Sequence, residues 1–184
     1  FRNRMYNFEL LALYNNSWGD FDFNSTAGGN IYKVNNSTTT TTARDMEIRD
    51  VVSLLSFNET SIQLGSWRKQ INSLYGSVNL GWRHMLYLDA TVRGDQSSTL
   101  PTNKNVYVYP SFSGSWVFSE LLHAGNVMPY GKLRMSWAQV GSDTDPYQLA
   151  LNYTKSRYTY PGHSIGYINN SVIPNKNLKP TRTN

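Results

Sequence analysis

The segment LYLDATVRGDQSS, residues 86–98, alternates apolar and polar side chains with the two-residue period of a β-strand. The apolar members share one face and the polar members share the other: Leu86, Leu88, Ala90 and Val92 against Tyr87, Asp89, Thr91 and Arg93. A soluble, half-buried sheet also alternates in this way, so a single strand does not decide the class. The pattern nevertheless returns in residues 71–82, 106–119 and 132–137. Repeated alternating segments of about ten residues are typical of a transmembrane β-barrel.

Composition agrees with strands that lie against lipid. Of the 184 residues, 39% are hydrophobic and 14% are aromatic, with 13 Tyr and 5 Trp, and such residues favour strands and membrane interfaces. No window approaches the ~18 apolar residues of a spanning helix. The mean hydropathy of -0.50 does not indicate solubility, because alternating strands average their hydropathy away.

Several classes of function find little support. There is no cysteine, which excludes disulfide frameworks, thiolate metal sites and cysteine nucleophiles. The net charge of +5 is scattered, so nucleic acid is not an expected partner. His84, His123 and His163 lack the spacing of shared metal ligands. Asp143 and Asp145 could offer oxygen ligands to calcium but fall short of an EF-hand loop. We expect no enzyme activity and no cofactor.

The remaining segments predict further strands with unequal connections. Residues 5–14 and 21–34 form a predicted hairpin around a tight turn at residues 15–20, with Gly28 and Gly29 as a possible bulge or bend. Residues 35–68 read as a long polar loop with strand character, in which residues 46–57 favour a short helix or irregular segment. Long connections are also predicted at residues 95–105 and 142–184, and short or intermediate ones at 83–84 and 120–131. Alternation of short and long connections is typical of outer-membrane barrels.

Four segments, in order, carry a family resemblance: residues 73–98, 106–120, 132–147 and 175–180. They contain a Tyr-Gly step, an Arg-x-Asp-x-Ser-Ser strand end, a Tyr-Pro-Ser strand that ends in Ser-Glu, a Lys-Leu-Arg-x-Ser-Trp strand and an Asn-x-x-Leu-Lys-Pro lead-in to a further strand. Together these motifs resemble the SusC/RagA family of TonB-dependent (TonB-linked) outer-membrane transporters.

The resemblance implies that residues 1–184 are an internal part of one β-barrel domain, about six antiparallel transmembrane strands of a larger plugged barrel of about 22. The plug domain and the Ton box find no match here. The whole protein would import oligosaccharides or peptides across a Gram-negative outer membrane. Its partners would be the remaining barrel and plug, a SusD-like surface lipoprotein, the TonB complex through the missing N-terminal region, and the lipid bilayer.

Strand parity then assigns each candidate residue to an environment. Residues on the polar face of the strands are expected to face the lumen or the plug: Tyr75, Asn79, Asp89, Arg93, Tyr107, Tyr109 and Arg134. Residues on the apolar face are expected to face lipid: Leu86, Leu88, Val92, Phe112, Leu133 and Met135. Trp82, Trp116 and Trp137 lie near predicted strand ends and are expected in an interfacial girdle.

Two side-chain relationships follow from that assignment. Asp89 and Arg93 are four residues apart on one strand, about 13 Å, so we expect each to meet a charge on a neighbouring strand or on the plug. Tyr107 and Tyr109 have two uses, stacking on sugar rings or packing within the girdle or against the plug, and the structural use is favoured.

The main alternative is a soluble β-sandwich, such as a carbohydrate-binding module, which would bury the same apolar faces against a second sheet. The direction of those faces discriminates the two: outward in a wall supports the transporter, and inward against another sheet supports the sandwich. A passive porin or an adhesin barrel is a weaker alternative, distinguished by the absence of a plug and a Ton box.

Overall fold

The computed structural model describes residues 1–48, 51, 53–119, 130–168, 173–175 and 177–184, which form an all-β chain. The described residues contain these strands, in chain order: β1 (Arg2–Trp18), β2 (Phe21–Met46), β3 (Phe57–Trp82), β4 (Leu86–Ser97), β5 (Val106–Trp116), β6 (Leu133–Ala138), β7 (Val140–Ser142), β8 (Tyr153–Tyr160), β9 (His163–Ile168) and β10 (Thr181–Thr183). Within these ranges no helix is long and apolar enough to cross a membrane.

The first six strands form one antiparallel sheet in which each strand pairs with the next along the chain. The predicted alternating segments are therefore confirmed as strands. Tight turns close one end of the sheet, where Trp18 pairs with Phe21 and Trp82 pairs with Leu86. We call this end of the strands the turn end, and the opposite end of the strands the loop end. The intermediate connection predicted at residues 120–131 lies largely outside the described residues.

The prediction of a long loop at residues 35–68 is wrong for most of that range. β2 and β3 are each 26 residues long, and their residues 38–46 and 57–65 pair beyond the last partner of β1, which is Ser37. The reason is local: a run of β-branched threonines suits an extended strand even where little is buried. The predicted short helix or irregular segment corresponds to a 3₁₀ turn, Leu54–Ser56, that Ser53 caps.

The expected bulge at Gly28 and Gly29 is not present. Both residues keep an unbroken register with β1 and β3. A Cβ atom at Gly28 would lie 2.6 Å from Cζ of Tyr75, so this glycine makes space for an aromatic ring from the neighbouring strand. A glycine in a strand also marks such a close approach, as well as a bend.

The chain returns to the sheet near its end. The Gln139 amide donates to the Pro110 carbonyl at 3.0 Å, so β7 continues β6 along β5. β10 pairs with β7 through Thr181, Arg182 and Thr183, which corrects the prediction that residues 142–184 are loop throughout. The β8–β9 hairpin lies between β7 and β10 in chain order.

Buried side chains are few and lie mostly near the loop end. Among the described residues the buried hydrophobic side chains are Val34, Leu100, Tyr107 and Val117, and the buried polar ones are Asn36, Ser56, Ser73, Asp95, Ser97 and Thr99. The largest apolar side chains of the six-stranded sheet are instead exposed. The sheet therefore has no apolar core of its own on either face.

Candidate functional site

One face of the sheet, which we call the outer face, is apolar and uncovered. The strand register places all six residues of the predicted lipid-facing set on it, in rows such as Leu80, Leu88, Gly114 and Met135. Met135 is 73% exposed and Phe112 is 54% exposed. Among the described residues, none of the other strands forms a second layer over this face.

Aromatic side chains concentrate on the outer face at the turn end. One cross-strand row runs through all six strands: Trp18, Phe21, Trp82, Leu86, Trp116 and Leu133. Trp82 and Trp116 thus share a row. Trp18 and Phe21 belong to it as well, but sequence reasoning missed Trp18 because it assigned residues 15–20 to the turn.

Trp137 is not in that row. It pairs with Phe112 and stacks on its ring with 6.1 Å between centroids. Four residues separate it from Leu133, about 13 Å along a strand. The structure therefore separates one of the three tryptophans of the expected girdle from the other two.

The opposite, inner face carries a connected polar network. The Arg93 guanidinium donates from Nε to Asp95 at 2.9 Å and from Nη2 to Ser73 at 3.0 Å. The Tyr109 hydroxyl donates to the other oxygen of Asp95. Asp95 is buried, so these charge-assisted bonds satisfy a carboxylate that would be costly to bury alone.

The network extends toward the first strand through Tyr75. The Arg93 guanidinium lies 5.7 Å from the Tyr75 ring centroid, within range of a cation–π contact. The Tyr75 ring crosses β2 over Gly28, and its hydroxyl donates to Glu9 on β1. Glu9 was not among the candidates, because the alternation of β1 was ambiguous where Leu11 and Leu13 share its parity.

Asp89 occupies a separate position on the inner face. Asn79 and Ser113, from the two neighbouring strands, both donate to its carboxylate, the second at 3.0 Å. Asp89 and Arg93 do not pair with each other. Arg93 pairs not with a charge on a neighbouring strand but with Asp95, which lies two residues along the same strand, about 7 Å away and on the same face. Contact of Asp89 or Arg93 with a plug stays a prediction.

Tyr107 and Tyr109 stack on each other, and Tyr107 is the covered member of the pair. Their centroids are 5.9 Å apart in a stacked arrangement, and Tyr107 is only 4% exposed. A Cβ atom at Gly141 would lie 2.7 Å from the Tyr107 ring. A sugar ring cannot stack on a tyrosine that is covered in this way. Arg134, in contrast, is an exposed inner-face residue of β6.

A second polar cluster lies at the loop end, around Asp143. Its carboxylate accepts from Lys69 at 2.7 Å and from the hydroxyls of Ser97 and Thr99. Burial raises the pKa of Asp143, but the Lys69 ammonium and the two hydroxyl donors outweigh it, so the pKa lies below its ordinary value. Lys69 holds the position that a cation would take beside this carboxylate. No group of three or more metal-ligating side chains occurs in the described parts of the chain.

Comparison with known proteins agrees with this geometry at the level of fold. The chain is similar to a solved structure of the RagAB peptide transporter, with a TM-score of 0.86 and 19% identity over 98% of this chain. It is also similar to the RagAB peptide importer in its closed-closed state (TM-score 0.81, 20% identity) and in its open-open state (TM-score 0.76, 18% identity). No family model and no curated protein matches.

The similarity covers nearly all of this chain but only part of each neighbour. The chain spans 20% of the length of the transporter chains that it matches. Its fold is that of an antiparallel segment of a transporter barrel, as the alternating pattern predicted.

Proposed function

We propose that this chain is an internal wall segment of a SusC-like, TonB-dependent transporter of a Gram-negative outer membrane. The observation that carries the proposal is the pairing of an uncovered apolar outer face with a hydrogen-bonded polar inner face on one antiparallel sheet. That arrangement suits a wall between lipid and a polar lumen. The similarity to RagAB chains supports it.

The height of the apolar band fits a bilayer. On β1 the outward parity runs from Trp18 to Phe8, which are ten residues apart and pair with Phe21 and Ile31. Ten residues span about 33 Å along a strand, and a strand tilted by about 40° would then rise about 25 Å, the height of a barrel's apolar band. The next outward row brings in Lys33 beside Tyr6. Lipid contact at the band and an interfacial location for the aromatic row are parts of this proposal.

The soluble sandwich lacks the layer that it requires. Its apolar faces would meet a second sheet, whereas Leu88 and Val92 are each 50% exposed and no described strand covers them. The sandwich would therefore leave a large apolar surface in water, which soluble monomers rarely do.

Closure of the wall requires further strands. β1 pairs only with β2 among the described strands, and an open sheet edge leaves backbone N–H and C=O groups without partners in lipid. We infer that residues 1–184 belong to a single barrel domain, and that other parts of the protein supply the missing strands and the plug. The polar network on the inner face would face that lumen or plug.

Peptides or oligosaccharides too large for passive pores are the proposed cargo. The structural neighbours are described as peptide importers, which favours peptides. A SusD-like surface lipoprotein would complete the outer side, and the TonB complex would supply energy through the N-terminal region. In this proposal the chain performs transport and not catalysis.

Fractionation and uptake test the proposal together. Cells that make the full-length protein should carry it in the outer-membrane fraction as a heat-modifiable band, and deletion of its gene should abolish growth on one class of peptide or oligosaccharide. Restoring the gene should restore growth. Recovery of the full-length protein in the soluble fraction would contradict the assignment.

A further inference from the structure

The segment that follows β7 crosses the sheet instead of leaving it. Ser142 lies beside the edge formed by β10, yet the next residue, Asp143, reaches Lys69 on β3 and Ser97 on β4. β5 and β4 lie between β7 and β3. At about 4.8 Å per strand, β7 and β3 are three spacings or roughly 14 Å apart, so the chain turns in over the sheet at Asp143 and the long Lys69 side chain covers part of the distance.

The crossing lies on the inner face. Lys69 shares the strand parity of Ser73 and Tyr75, and Ser97 shares the parity of Arg93 and Asp95. These inner-face residues form the polar network described above. Residues 143–147, which we call the strap, therefore fold inward over the wall at its loop end.

The residues that contact the strap are closely packed. Ser97 is fully buried, and Thr99 and Tyr107 are 3% and 4% exposed. Gly141, just before the strap, lies against the Tyr107 ring, where any Cβ atom would collide. A second attachment lies four residues beyond Asp143, where the Arg68 amide donates to the Tyr147 hydroxyl at 3.3 Å.

The ion pair of the strap differs from the surface pair at the turn end. The side chains of Lys69 and Asp143 are 21% and 9% exposed, whereas those of Arg83 and Asp20 are 55% and 56% exposed, although both pairs measure 2.7 Å. Loss of Lys69 would leave a nearly buried carboxylate without its cation, which is costly, whereas an exposed pair contributes little.

We propose that the strap is a latch, held by Asp143 and Lys69, that narrows the loop-end mouth of the lumen and moves away to admit bulky cargo. The latch rests on the structure of this chain, and its role at a lumen mouth rests on the proposed function. The segment is held by one ion pair, two hydroxyl donors and one backbone amide, and in this proposal those few bonds break together, which makes it a two-state element of the kind on which gating is based.

Distance measurements on the purified full-length protein test the latch. Spin labels are placed at Asp145→Cys, on the strap, and at Thr102→Cys, on the β4–β5 connection; both sites are exposed and make no latch contact. The parent should show one narrow distance. Asp143→Asn and Lys69→Gln should each add a longer, broad distance whose population rises about tenfold or more. Asp20→Asn, the matched change at the turn end, should leave the distribution unchanged.

Two outcomes separate the latch from the proposed function. An unchanged distance in both latch variants overturns the latch, even if the protein fractionates with the outer membrane. In intact cells the same two variants should raise the rate at which a bulky maleimide–polyethylene glycol reagent labels Thr91→Cys, an exposed inner-face position, relative to Asp20→Asn. An unchanged labelling rate alongside a released strap overturns its role at the mouth. A longer distance in a protein found outside the outer membrane retains the latch and refutes the transporter.

Discussion

The outer and inner faces of the same six strands differ in which kind of side chain is exposed and which is buried. On the outer face Met135 and Phe112 are more than half exposed, whereas on the inner face Asp95 is buried and bonded to both Arg93 and Tyr109. A soluble protein arranges these environments in reverse, with apolar groups covered and charges in water. The difference agrees with the proposed wall, whose surroundings would be apolar on one side only, and it shows that the inner face supplies its own polar partners.

The sharpest test of this contrast uses two consecutive residues of β6. Met135→Arg places a cation on the outer face and should lower the free energy of unfolding of the protein in vesicles by about 2–4 kcal/mol. Ser136→Arg, one residue further and on the inner face, should have little effect. Urea titration of the full-length protein in vesicles measures both. Equal losses from the two variants would contradict the assignment of the faces.

Substitutions in the polar network of the inner face should have the next largest effect on stability. Arg93→Met removes the cation beside the buried Asp95 carboxylate and leaves only the Tyr109 donor, so we expect a loss of about 1–3 kcal/mol in the same titration. Adding Asp95→Leu should recover much of the loss, because no charge then remains buried without its partner. A double variant that is weaker than Arg93→Met would indicate that the network does not act as a unit.

Two neighbouring glycines of β2 distinguish the faces by the sign of the effect. Gly28→Ala puts a methyl group within 2.6 Å of the Tyr75 ring on the inner face and should destabilise by about 1–2 kcal/mol. Gly29→Ala, on the outer face, meets its nearest atom at an ordinary 3.6 Å and should stabilise by about 0.5 kcal/mol, because glycine is unfavourable within a strand. The urea midpoints of unfolding of the two glycine variants, compared with that of the parent, test both signs.

The smallest expected effect is a response of the loop end to acid. Because the pKa of Asp143 in the folded state lies below its ordinary value, its ion pair contributes full stability above the unfolded pKa of about 3.9. That contribution disappears as the pH falls through the lower, folded value. The midpoint difference between the parent and Asp143→Asn should therefore shrink on acidification. A difference that grew at low pH would contradict this sign.

Alternation predicted the fold class because it is a local property of a strand. The rows that join Leu88 to Met135, or Asp89 to Ser113, follow directly from parity once neighbouring strands pair in order. The long ribbon of β2 and β3 was missed because polar threonines carry no apolar alternation, although their branched side chains favour strands. Glu9 escaped notice because its strand has apolar residues on both faces.

By itself, the sequence determined that this chain forms antiparallel strands with an apolar and a polar face, since a period of two fixes which side chains share a side. Only the tertiary structure decided which polar groups meet. The bond from Arg93 to Ser73, the Tyr75 ring over Gly28 and the contact of Asp143 with Lys69 depend on strand register and on residues up to 74 positions apart in the chain. Long-range contacts of this kind leave no local trace in the sequence, because their energy depends on distance and burial after folding.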